Sequence, residues 1–167
     1  MNAYRTIERL ISYWALFGGA LLLLIVFATA LNAAGFTLNS VMRLFDGSFP
    51  GLSGYEDAVT LLVGVAALAM FPYCQLHSGH AVVDVFMQNA SGAINRVVHV
   101  VSCLLICGVA IWFAYMSLQG AIQMREDNIE TAVLGWSVWG FAATAVLSCL
   151  LWALAAVIQM FEIENGA

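Results

Sequence analysis

Residues 54–84 read GYEDAVTLLVGVAALAMFPYCQLHSGHAVVD, and the fold turns on that stretch. It opens on an acidic pair, Glu56 and Asp57, and runs almost wholly apolar from Ala58. It breaks at Phe71-Pro72 and closes on Gln75, His77, His80 and Asp84. An apolar interior between polar ends is the pattern of a membrane crossing, because only the ends reach water and lipid headgroups.

The same pattern recurs outward from it in both directions. No Asp, Glu, Lys or Arg lies between Arg9 and Arg43, Asp57 and Asp84, Arg96 and Arg125, or Glu130 and Glu162. Each interval exceeds the roughly 20 apolar residues that a helix needs to cross hydrocarbon. Over the whole 167 residues, 63% are apolar and 9% charged, against about a quarter charged in soluble domains. So few charges could not cover a water-soluble surface. The expected fold is therefore all-α: one integral membrane domain over residues 1–167, with four transmembrane helices at about 10–33, 56–76, 96–124 and 131–161.

Two short amphipathic pieces are expected beside the crossings. In the first, Leu38, Val41, Met42 and Phe45 share one face while Asn39, Ser40, Arg43 and Asp46 share the other. That spacing suits a short helix lying in the interface. In the second, His80, Asp84 and Gln88 form a polar row at i, i+4 and i+8. Small residues point to helix packing: Ala15 with Gly19, then Gly64, Ala66, Ala67 and Ala69, then Gly140, Thr144 and Ser148. Pro72 lacks an N–H and is expected to kink the end of the second crossing. Arg5 and Arg9 before a long apolar run imitate a secretory signal, but the run exceeds the usual ~7–15 residues. An uncleaved first helix is expected.

Charge and motif content exclude several functions. The net charge is −5 and lysine is absent, which leaves no basic patch for nucleic acid. No phosphate-binding loop or nucleophile elbow is present, so an enzyme is not expected. Cys74, Cys103, Cys107 and Cys149 all sit in apolar spans and read as free thiols. Arginines 5, 9 and 96 would share one membrane side against 43 and 125 on the other, favouring cytoplasmic termini.

The residues that could carry chemistry gather at crossing ends. His77, His80 and His99 fall near one membrane face, where two imidazoles could hold a b-type haem and make the chain an oxidoreductase anchor. They could equally be solvated interfacial histidines. A zinc site from His77, His80 and Asp84 lacks a fourth ligand. Glu56 and Asp57 could form a cation site or could stabilise a helix N-terminus through its dipole. No crossing has a charge near its middle, as a chain that itself moved ions would. The site residues expected are thus structural or interfacial, namely Glu56, Asp57, His80 and Asp84, with no catalytic, cofactor or metal site. The chain reads as a membrane subunit in need of a companion, with a stand-alone small transporter as a further alternative.

The acidic pair Glu56-Asp57, the block Leu76-His77-Ser78-Gly79-His80-Ala81-Val82-Val83-Asp84, and Glu130-Thr131 before the last crossing carry a family likeness. Together with the helix count and spacing, they resemble the small membrane subunit, the Q component, of tripartite ATP-independent periplasmic (TRAP) transporters. The chain departs from that family's pattern at Gln75 and His77, where arginines are common, and at Gly135-Trp136, where a proline is common. The resemblance implies a bacterial inner-membrane protein without cofactor, bound to a large membrane subunit that carries substrate and sodium. It further implies a periplasmic binding protein that delivers an organic acid, and a bracing role for the small subunit.

Overall fold

A computed structural model of the chain describes residues 2–42, 53–77 and 92–165. Four helices make up nearly all of this: α1 (Asn2–Met42), α2 (Tyr55–Leu76), α3 (Gly92–Glu126) and α4 (Val138–Asn165). All four contain stretches long and apolar enough to cross a membrane. The chain is thus an all-α, multi-pass membrane protein, with a single isolated bridge, Glu130 to Ser137, among the described residues.

The stretch expected to form a separate interfacial helix after residue 33 instead continues α1 as far as Met42. No proline interrupts residues 2–42, and the hydroxyls that could compete with the backbone turn inward. Thr37 Oγ1 donates to the carbonyl of Ala33 at 3.0 Å, and Ser40 Oγ to that of Phe36 at 3.0 Å. At 41 residues and 1.5 Å per residue, α1 is about 60 Å long. That is about twice the hydrocarbon thickness. The second amphipathic piece, with His80, Asp84 and Gln88, lies outside the described residues.

The helices pack in the spatial order α1, α2, α4, α3. Membrane helices gain little from hydrophobicity against one another, so small residues set how closely they approach. Gly18 marks a close approach between α1 and α2. A Cβ there would lie 2.9 Å from Ala69 Cβ and 3.0 Å from the Ala66 carbonyl oxygen. Ala66 and Ala69 are fully buried, whereas Gly64 and Ala67, on the same helix, face outward. On α3 the seam toward α4 is likewise small: Cys103, Ala110, Ala114 and Ala121 are buried at steps near seven and four. A cluster of Ile11, Leu76 and Ala155, flanked by Ile7 and Ile158, closes the end of the bundle nearest both termini.

Candidate helix-tie site

α2 starts where Gly54 takes a left-handed conformation, φ 80°, as its N-cap. Side chains other than glycine rarely adopt that conformation. The turn aims the first residues of α2 at the connection between α3 and α4. There, Asp57 Oδ2 accepts hydrogen bonds from the backbone N–H groups of Val133 (2.7 Å) and Leu134 (3.1 Å). Leu134 in turn fills the space beside Gly54: a Cβ on the glycine would lie 2.6 Å from both Cγ and Cδ2 of the leucine.

The connection that Asp57 captures is compact. Thr131 N–H donates to the Trp136 carbonyl at 2.9 Å, Gly135 N–H to that of Thr131 at 3.1 Å, and Val138 N–H to that of Ile129 at 3.1 Å. Gly135 and Asn128 supply the positive φ values, 64° and 49°. These turns consume residues 127–137, so the last helix begins at Val138 and not at the expected position 131. The cause is chemical. Gly135 leaves the helical path with its positive φ, and Trp136 N–H, which a helix begun at 131 would bond within itself, goes instead to Thr131 Oγ1 at 3.0 Å.

The other end of α2 is joined to α4 by neutral amides. Gln75 Nε2 donates to Gln159 Oε1 at 2.6 Å, and Trp152 Nε1 donates to Gln75 Oε1 at 3.3 Å. Both glutamines are buried, at 4% and 8% exposure. Cys103 of α3 joins them, its sulfur 4.0 Å from Gln159 Oε1 and 3.5 Å from His99 Nδ1. Phe71 packs on Trp152 with ring centroids 5.1 Å apart. One polar chain thus links three helices. Between the two ends, Trp14 Nε1 of α1 donates to Ser148 Oγ at 3.0 Å, so the Ser148 end of the small stripe of α4 meets α1.

The expected site residues divide accordingly. Asp57 ties α2 to the α3–α4 connection, while Glu56 is exposed and its side chain has no partner among the described residues. His80 and Asp84 lie outside the described residues. His77 is exposed and stacks on Tyr73, with ring centroids 4.2 Å apart and Nδ1 3.2 Å from the Tyr73 carbonyl oxygen. All four cysteines are free. Trp14, which its place at the start of the first crossing marks as an interfacial anchor, instead bonds Ser148 inside the bundle, and Gln159 and Trp152 escaped the sequence reading. Their only signal was hydrogen-bonding groups in spans that are otherwise apolar.

An apolar cleft of about 240 Å³ opens between α1, α2 and the captured connection, lined by residues including Leu24, Ala28, Leu62 and Trp136. Tyr55 reaches it, but its hydroxyl is bound to Thr29 Oγ1 at 2.7 Å. Among the described residues no group of three metal-ligating side chains comes together. Among the described residues the arrangement joins helices and presents no constellation for chemistry.

No curated protein and no solved structure matches the chain. A family model, described as tripartite ATP-independent periplasmic transporters, DctQ component, matches residues 33–165. That match spans the end of α1, all of α2 and α3, and α4 to its last residue. With four membrane-spanning helices and most of its length matched, the chain belongs to the DctQ component family of tripartite ATP-independent periplasmic transporters.

Proposed function

We propose that this chain is the small permease subunit that braces the large membrane subunit during sodium-coupled, binding-protein-dependent uptake of an organic acid. It sits in a bacterial inner membrane with both termini cytoplasmic, the side that holds three of its five arginines. The observation that carries the bracing role is that α2 is tied at both ends, by Asp57 to the α3–α4 connection and by Gln75 to α4. Asp57 and Gln75 are 18 positions apart, about 27 Å along the helix axis, so the two ties lie near opposite membrane faces. A body held at both ends resists shear and suits a fixed support for a moving partner. The spans also hold no charge in their interiors, which supports substrate and sodium sites in the partner.

Reconstitution tests this. In vesicles the chain alone moves neither sodium nor organic acid, and adding it to the large subunit and the periplasmic binder restores sodium-dependent uptake. Uptake by the chain alone overturns the proposal, as does full uptake without it.

A further inference from the structure

Two helices lie at the edges of the bundle, α1 and α3, and their outward faces differ in chemistry. Outward on α1 stand Leu16, Ala20, Leu23, Phe27, Ala30 and Ala34, all exposed and all hydrocarbon. Lipid tails cover such a face without cost. On α3 the outward seam runs Val101, Leu105, Gly108, Trp112, Tyr115 and Gln119 at alternating steps of four and three, and every one is exposed. That is the heptad spacing of a helix-packing seam; the α1 stripe has the same spacing, so the two faces differ in chemistry and not in periodicity. It lies opposite the small seam of Cys103, Ala110, Ala114 and Ala121 that packs on α4.

Three members of the outward seam carry hydrogen-bonding groups at membrane depth. Trp112 is 62% and Tyr115 55% exposed, and among the described residues no partner bonds the Trp112 indole, the Tyr115 hydroxyl or the Gln119 amide. The charged ends of the span are Arg96 and Arg125. Measured from the midpoint between them, Trp112 lies about 2 Å, Tyr115 about 7 Å and Gln119 about 13 Å along the axis. The hydrocarbon extends about 15 Å either way. Helical side chains lean toward the helix N-terminus, which here turns Tyr115 and Gln119 toward the membrane centre, away from the nearer interface. Snorkelling to water is therefore opposed. Gly108 leaves a gap beside them: nothing lies within 4 Å of where its Cβ would be.

We propose that this outward seam of α3 is the docking surface for a transmembrane helix of the large membrane subunit, one that presents hydrogen-bond acceptors at the level of Trp112 to Gln119. The proposal rests on the reading of the chain as that subunit's companion. Lipid tails offer no acceptor. A second copy, inserted in the same orientation, would set Trp112 against Trp112, and an indole N–H only donates. A different chain can supply what both lack, and the Gly108 gap lets its backbone come close.

The test uses the full chain co-expressed with the large subunit. Gly108→Leu adds a side chain into open space, so the isolated chain keeps its thermal stability while co-purified large subunit falls by about tenfold or more. Trp112→Phe, which keeps the ring and removes the N–H, lowers it about threefold. A photoreactive benzophenone residue replacing Leu105 gives an adduct with the large subunit, and one replacing Leu23 on α1 gives none. Undiminished co-purification of Gly108→Leu overturns the docking seam, as does an adduct from the Leu23 position only; both leave the bracing role standing. Adducts between two copies, or with lipid only, also overturn it. Failure of the unaltered chain to co-purify any large subunit overturns the bracing role and the seam together.

Discussion

The two ends of α2 are tied to the rest of the bundle by different chemistry. At the Gly54 end one carboxylate, Asp57, accepts from two consecutive backbone N–H groups of a turn. At the Leu76 end two buried amides and an indole, Gln75, Gln159 and Trp152, bond one another. The difference follows the solvent. A charge is tolerated at a crossing end near water, and there it collects N–H groups that a turn leaves unpaired. Deeper in a packed interface an ion is costly, whereas an amide offers both a donor and an acceptor without net charge. A membrane bundle can thus be tied at both faces with different residues, each suited to its surroundings.

The ties can be broken at either end of α2. The largest effect is expected from Gly54→Val. It places a β-branched residue at φ 80° and drives its Cβ into Leu134, separating the Asp57 end as a unit. Backbone strain and overpacking together cost about 3 kcal/mol, read as a lower denaturation midpoint in detergent. Next is Gln75→Leu, which withdraws the partner of Gln159 and of Trp152 and costs about 2 kcal/mol. Adding Gln159→Leu recovers part of that loss, since an apolar pair is preferable to half a hydrogen-bonded one. A double variant no more stable than the single one would mean that the amides contribute packing alone. The smallest effect is expected from Asp57→Asn. The carbonyl oxygen still accepts, so the bundle stays folded, and only the Val133 and Leu134 amides exchange hydrogen faster. Global loosening of α4 in that variant would make the carboxylate's charge essential to the whole contact.

Legibility from sequence followed the same division. Asp57 was recognisable because an acid opening an apolar span is conspicuous, and its N-terminal place on α2 was implied by the helix dipole. That it binds the Val133 and Leu134 amides, 76 and 77 positions away, was not recognisable, because no local pattern encodes that distance. The close approach expected at Ala15 and Gly19 falls on Gly18, since spacing identifies small residues but not the side of the helix that meets Ala66 and Ala69.

By itself the sequence determined the membrane, the number of crossings and the all-α class. Those depend only on how far apolar residues run between charges, and water enforces that locally along the chain. The packed bundle settles which helices are neighbours, where α1 ends and α4 begins, and which polar groups inside the spans find partners. Helix order in lipid is set by the fit of small faces and by paired hydrogen bonds between distant segments, as at Gly18 against Ala69 and Gln75 with Gln159. Both are relations between surfaces, which exist only after the helices have formed and met.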